Sequence, residues 1–205
     1  IFSFVEQFEG VDFRGALTML AERAGVKITN TFSDKSDSKD VLYKVMESAT
    51  EFYEKNLENH KLAQEYLAKR GLTKKTIRDW HIGFASNEWK GVLSYLQGKK
   101  IRLEDIEKVG LIKPSEKNAR DYYDRFRSRI MFPLFDTSGR VIAFSGRIFG
   151  EADDGKSAKY INSPETVLFD KSKTLYGYHL AKRRIREMDY SLLVEGQMDL
   201  LLSHQ

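Results

Sequence analysis

The chain has no cysteine among its 205 residues and only three prolines. Without thiols, neither a disulfide nor a thiolate zinc site can form. The four histidines, His60, His81, His179 and His204, show no metal-ligand spacing. No apolar run approaches the ~20 residues needed to span a bilayer, and no secretory leader pattern is present. The expectation is an intracellular soluble protein. Gly-rich phosphate loops are missing too, since Phe144-Ser145-Gly146-Arg147 is neither a P-loop nor a dinucleotide fingerprint. No Ser-His-Asp set can be assembled, and no internal repeat is visible. There is no initiating Met: the chain starts at Ile1 inside an apolar pattern and stops six residues after Asp199, so both ends read as cut.

Enough remains to build a core, because 41% of the residues are hydrophobic and thirteen Phe and ten Tyr are among them. The net charge of +4 is unevenly spread. Residues 120–186 carry 14 Lys and Arg against 8 acids, whereas 187–205 carry 4 acids and no Lys or Arg. A basic middle thus leads into an acidic end. That fits a polyanionic partner, and equally a solvated charged surface.

Apolar residues recur at helical spacing from Phe4 to Phe8, then from Phe13 to Ala24 behind a possible N-cap at Asp12, with Gly25 as the stop. Residues 29–39, rich in Ser, Asp, Thr and Lys, read as a linker. Asp40 to Glu58 is the longest helical stripe. Helices follow over Lys61–Arg70, after Thr73, over Glu88–Gln97 and over Leu103–Val109. After Gly110 the period changes. Arg125 to Phe135 alternates, Asp136-Thr137-Ser138-Gly139 is a turn, and Val141 to Phe149 returns as a second strand. Tyr178–Arg186 is a basic helix. Leu193-Val194-Glu195-Gly196-Gln197-Met198-Asp199 reads as a buried strand that ends in a carboxylate and turns into a helix.

Three features carry candidate chemistry. Arg125, Arg127 and Arg129 would sit on one side of a strand ~7 Å apart, two rises of about 3.3 Å, near the phosphate spacing of an extended single strand. The wet face of an antiparallel strand explains them as well. Lys159, Tyr160 and Asn162, with Lys171 and Lys173 nearby, combine cations with an aromatic face, as single-stranded nucleic-acid sites do; an ordinary loop does the same. Glu195 and Asp199 could flank one cleft and share a Mg²⁺ ion, or Glu195 could simply cap a helix or pair with Lys182 or Arg186.

Several segments, in order, resemble one family. They are Tyr66-Leu67-Ala68-Lys69-Arg70-Gly71-Leu72, Ile82-Gly83-Phe84-Ala85, Arg125–Leu134, Gly139–Arg147, Lys159–Thr166, Leu175-Tyr176-Gly177 and Val194–Asp199. The chain resembles the RNA polymerase core of bacterial DnaG-type DNA primase over about residues 40–205. The resemblance implies an α+β fold. A helical layer with antiparallel strands, residues 40–188, would lead into the first strand and helix of an α/β topoisomerase–primase (TOPRIM) fold at 189–205. Residues 1–28 would be a helical tail after an absent zinc-ribbon module, and 29–39 the linker.

The resemblance also implies a function: DNA-templated synthesis of short RNA primers from ribonucleoside triphosphates, by a cytoplasmic bacterial enzyme at the replication fork. Glu195 and Asp199 match the first acids of the TOPRIM metal site, which takes Mg²⁺ or Mn²⁺; the family's later D-x-D acids are absent from this sequence. Arg70, Arg147, Lys159, Tyr160 and Lys171 match positions of the template and nucleotide groove, with Arg125, Arg127, Arg129 and Asn162 beside them. Zn²⁺ would belong only to the absent N-terminal module, and the replicative helicase would dock through an absent C-terminal domain. Two other readings are a single-stranded nucleic-acid-binding module without catalysis and another TOPRIM enzyme. Against the last, topoisomerases need a nucleophilic Tyr that cannot be located here.

Overall fold

Residues 61–69 and 74–79 show how local chemistry starts this fold. The ring Nδ1 of His60 accepts the Ala63 N–H and opens α4 (Lys61–Lys69), and the Thr73 hydroxyl accepts the Thr76 N–H and opens α5 (Lys74–Asp79). The computed structural model describes residues 1–205 apart from Gly10, Asp12, 27–33, Lys117, Ala119 and Asp154, and only the backbone at Gln7, Arg14, 34–38 and Glu151. Before α4 come α1 (Phe2–Glu9), α2 (Phe13–Ala24) and the long α3 (Asp34–Glu58). After α5 come β1 (Gly83–Ala85), α6 (Gly91–Gly98), α7 (Leu103–Lys108), β2 (Ile112–Pro114) and β3 (Tyr122–Asp124). The chain continues through β4 (Arg129–Phe135), β5 (Val141–Ile148), β6 (Tyr160–Asn162), α8 (Tyr178–Met188) and α9 (Gln197–His204). Single 3-10 turns lie at Gly150–Ala152 and Lys171–Lys173.

Four strands form one antiparallel sheet in the order β1-β4-β5-β6, and β2 and β3 pair separately. The β4–β5 turn is held by Asp136, whose carboxylate accepts the N–H groups of Ser138 and Arg140 and the Arg140 Nε at 2.8 Å. One sheet face packs on α3, α6 and α7: Ala85, Met131 and Phe144 join Val45, Met46, Ala49, Tyr53, Leu96 and Ile106. At β1 the approach is so close that a Cβ on Gly83 would lie 2.5 Å from the Cβ of Tyr53. The other face carries Phe84, Ile130 and Phe132, covered by Leu67 of α4, Trp80 after α5, and Met198 and Leu201 of α9. A helix layer on each side of a sheet is a standard way of burying two apolar faces at once.

The mixed helix and antiparallel-sheet fold agrees with the expectation, and so do the helices from Lys61 onward, except that the one expected over Glu88–Gln97 starts only at Gly91 and leaves Trp89 in a loop. Several details differ. The N-cap expected at Asp12 and residues 29–33 of the expected linker lie outside the described residues, and Asp34 to Lys39 belong to α3. That stretch is polar but has no Gly or Pro to break a helix. The strand expected from Arg125 begins only at Arg129, because Ser128 takes a left-handed φ of 49° and its N–H donates to Ser86 O. Every residue of β4 is buried, so the strand has no wet side. The strand expected before Glu195 does not form. Leu192 and Leu193 are 76% and 83% exposed, and no described strand lies alongside to take up their backbone groups.

Candidate nucleic-acid interface

The sheet register places the site. Arg147 of β5 pairs with Tyr160 of β6 and with Ile130 of β4, and Ser145 pairs with Asn162 and Phe132. Side chains two apart on a strand share a face, so Ser145, Arg147, Tyr160 and Asn162 lie on the α4–α9 side, at the β6 edge of the sheet. There the helix cover thins: Arg147 and Tyr160 are half-buried and Asn162 is exposed.

The Arg147 guanidinium donates to the Tyr160 hydroxyl at 2.9 Å and lies 5.3 Å from the centre of that ring and 5.9 Å from that of Tyr66 on α4. Tyr66 in turn meets Phe149 edge-on at 5.3 Å. The result is a cation set among aromatic rings, half open to water. Arg70 follows Tyr66 by four residues, one helical turn further along α4, and is exposed. Lys159, also exposed, precedes Tyr160. No described contact joins Lys171 to this cluster; its backbone N–H donates to Glu165 Oε1 at 3.2 Å in the segment that follows β6.

The three arginines expected as a stripe do different work. Arg129 is 8% exposed and donates to the carbonyls of Gly146 and Ala158 at 3.0 and 3.1 Å. It passes under β5 where a Cβ on Gly146 would sit 3.0 Å from its Cδ. Arg125 donates to Gly110 O at 2.9 Å. Burial lowers the pKa of both guanidinium groups, although an arginine stays protonated in a protein. Both therefore serve carbonyls of the interior, and a phosphate-spaced row on one strand is not what the chain builds. Arg127 differs. Its guanidinium stacks 4.1 Å from the ring centre of Trp89 and 5.2 Å from that of Tyr123, and donates to Asp124 O. Trp89 is 61% exposed, and Lys113 lies 5.0 Å over Tyr123.

Trp89, Tyr123, Tyr66 and Phe149 were not singled out by the sequence reading. At helical or alternating spacing an aromatic residue reads as core; only the polar Asn87 and Glu88 ahead of Trp89 hinted at exposure. The loops bearing Trp89 and Arg127 follow β1 and precede β4, and Lys159 precedes β6. In an antiparallel sheet ordered β1-β4-β5-β6, all three points fall at one end.

The acids stand on the same face. Gln197, first residue of α9, donates from Nε2 to Ser145 Oγ at 3.1 Å. This ties the turn carrying Glu195 and Asp199 to the strand carrying Arg147. The far end of α9 is tied as well, since Gln205 accepts from Thr73 N and Thr76 Oγ1 and donates to Gly71 O. The alternative partners for Glu195 are engaged elsewhere: Lys182 donates to Glu9 O and Thr137 O, and Arg186 to Phe8 O and the Glu9 carboxylate. Glu195 and Asp199 are exposed. Asp199 folds back over the N-cap, with Oδ2 2.6 Å from where a Gly196 Cβ would be. Two carboxylates at one turn, with no side-chain partner among the described residues, suit a hard cation that keeps its waters. Among the described residues no cluster of three or more His, Asp or Glu could complete a protein-only shell.

Residues 52–182 match the family described as the DNA primase catalytic core, N-terminal domain. The chain is 37% identical to the DNA primase of Pseudomonas aeruginosa over 97% of its own length, and covers 30% of that protein. It spans about a third of the length of such curated relatives. The RNA polymerase domain of Mycobacterium tuberculosis primase DnaG, in complex with double-stranded DNA bearing a 6-nucleotide overhang, superposes on 80% of the chain with a TM-score of 0.74 and 32% identity, the match covering 51% of that structure. A DnaG primase catalytic domain bound to single-stranded DNA matches 81% of the chain and 50% of itself, with a TM-score of 0.70 and 36% identity.

Proposed function

The chain belongs to the DNA primase family, whose catalytic-core N-terminal domain it carries, and on that premise we propose that it is the template-holding part of a primer-synthesising enzyme. The observation that carries the reading is the Arg147–Tyr160–Tyr66 cluster, tied through Ser145 and Gln197 to the acidic turn of α9. Template phosphates are held by Arg147, Lys159 and Arg70, and bases stack on Tyr160, Tyr66 and the Trp89–Arg127 pair. None of these groups reads a base edge, so the contact is to backbone and ring faces and is indifferent to sequence. The DNA-bound relatives support a nucleic-acid strand as ligand.

The reaction proposed is nucleotidyl transfer: a 3′-hydroxyl attacks the α-phosphate of a ribonucleoside triphosphate, the new P–O bond forms, and pyrophosphate leaves. A divalent ion such as Mg²⁺ or Mn²⁺ supplies charge neutralisation to such a transfer. Glu195 and Asp199 are the residues of this chain that would hold it. Arg147 and Lys159 keep phosphates oriented beside that turn. Arg125, Arg129, Asn162 and Lys171 have lesser parts in this scheme, the first two by shaping the β4–β5 backbone beneath the site and the others at its rim. The replicative helicase is the proposed partner by resemblance to the family. No described helix is long and apolar enough to cross a membrane.

Template binding is measured on this chain with a short single-stranded oligonucleotide. Replacing Arg147 and Lys159 together by Ala should weaken binding whatever the base sequence. The slope of log K against log salt should flatten by up to about 0.7 per lost contact. Unchanged affinity and slope would remove both residues from the interface. In an intact primase carrying this chain, Glu195→Gln should abolish primer synthesis and leave template binding nearly intact; retained synthesis would reduce Glu195 to a structural residue.

A further inference from the structure

We infer that Asp124 is a positioning residue for template binding, holding Trp89 and Arg127 in register as one stacking platform. The inference rests on the template-binding reading above. The two halves of the platform come from separate loops, one between β1 and α6 and the other between β3 and β4. Asp124, 3% exposed at the end of β3, is bonded to both. Its N–H donates to Trp89 O at 2.8 Å, and its carbonyl accepts the Arg127 guanidinium. Its carboxylate accepts the N–H groups of Val92 at 2.8 Å and Leu93 at 3.2 Å, with that of Gly91 beside them. Those are the first residues of α6, which has no side-chain cap of its own.

The side chain therefore clamps the start of α6, two residues after Trp89, to the strand end from which Arg127 departs. With the carboxylate gone, the α6 N–H groups turn to water and the Asn87–Lys90 segment is free to shift. The two backbone links alone leave the indole–guanidinium distance unset. A carboxylate suits the task because it takes several donors at once. Burial raises its pKa to about 6, a sign that the position keeps an acid at some electrostatic cost. Arg127 makes its hydrogen bond to the Asp124 carbonyl and lays its guanidinium against the rings, so its charge reaches the carboxylate only through space.

The test is binding of a short oligothymidylate by the whole chain, read together with tryptophan emission and iodide quenching. Trp89 is exposed and Trp80 is 2% exposed, so quenching reports chiefly on Trp89. Trp89→Ala should weaken binding five- to tenfold, the lower part of the range for one stacked base. Asp124→Ala should weaken it by a similar factor and alter Trp89 quenching in the absence of DNA. Combined with Trp89→Ala it should add nothing, as expected when one residue acts through another. Asp124→Asn, which keeps one acceptor, should fall between wild type and Ala. A folded Asp124→Ala chain that binds like wild type, or a loss that adds fully to that of Trp89→Ala, overturns the inference. If the Ala variant does not fold, the same cycle with Asp124→Asn decides. If wild type binds and Trp89→Ala binds equally well, the platform itself is wrong and this inference goes with it, while the Arg147 cluster stands.

Discussion

The two faces of the central sheet are built from the same four strands and are used differently. The face toward α3, α6 and α7 is sealed from β1 to β5: Ala85, Met131 and Phe144 are at most 2% exposed, and Gly83 lets α3 come within backbone contact. The face toward α4, α5 and α9 is equally dry at Phe84, Ile130 and Phe132 but grades into Arg147, Tyr160 and Asn162 at the β6 edge. The arginines divide in the same way. Arg129 lies on the sealed side and satisfies carbonyls, whereas Arg147 lies on the open side among the phenols of Tyr160 and Tyr66. A cation surrounded by carbonyls has its donors used; one set among rings at a half-open edge is where a phosphate contact is proposed. Position relative to the helix cover, more than residue type, separates scaffold from interface.

The largest break in that contrast should come from Phe144→Ala on the sealed face. Phe144 is fully buried and edge-on to Tyr53 at 5.3 Å. The cost should be about 4 kcal/mol in urea unfolding, with oligonucleotide affinity unchanged in the folded fraction. Arg129→Ala should cost about 2–3 kcal/mol, because it leaves buried carbonyls without donors, and should leave the salt dependence of binding intact. Arg127→Ala should do the reverse, changing stability by under about 1 kcal/mol while weakening oligonucleotide binding. If both arginine variants lost binding and stability in proportion, the division between the faces would fail.

A smaller effect separates two buried titrating groups. Burial raises Asp124 to about 6, above its unfolded value, so its protonation stabilises the fold as pH falls from 6 toward 4. Burial lowers His179, packed 4.3 Å from Phe135, to about 4. It must stay neutral in the fold, and its contribution is lost as pH falls from 6.5 toward 4. The two slopes oppose one another. Asp124→Asn should uncover the acid destabilisation from His179, on the order of 1 kcal/mol after screening of a part-exposed ring. His179→Phe should uncover a gain on acidification on the order of 2 kcal/mol. Unfolding free energies measured at pH 4 and pH 6.5 check both signs.

Much of the scaffold was legible from period and punctuation. The 3.6-residue stripes gave the helices, Thr73 gave a cap, and Asp136–Gly139 gave the hairpin turn. Strands β1, β2, β3 and β6 have three residues each, too few for alternation to declare itself. The alternation from Arg125 to Phe135 misled because β4 is covered on both sides, so its alternate residues face two dry layers. Leu193 and Val194 have the composition of a buried strand, but a strand forms only where neighbouring backbone can complete its hydrogen bonds. At the proposed site, the cations Arg147 and Lys159 and the acids Glu195 and Asp199 were visible as residue types. Trp89 was not, since what would distinguish a stacking ring from a core ring is exposure, and Trp89 is 61% exposed; Tyr66 entered only as part of a family segment.

The order β1-β4-β5-β6 also divides the strand pairings into short-range and long-range ones. Strands β4, β5 and β6 join through neighbouring segments, so their pairing closes short loops. The pairing of Ala85 with Arg129 loops out the whole of residues 86–128, and so carries a larger loop-closure entropy. Trp89 lies just inside one end of that loop and Arg127 just inside the other. Docking β1 on β4 brings the two ends of that loop to one end of the sheet, while the Asp124 links join the same two segments from inside the loop, so the proposed stacking pair is held by two separate long-range contacts.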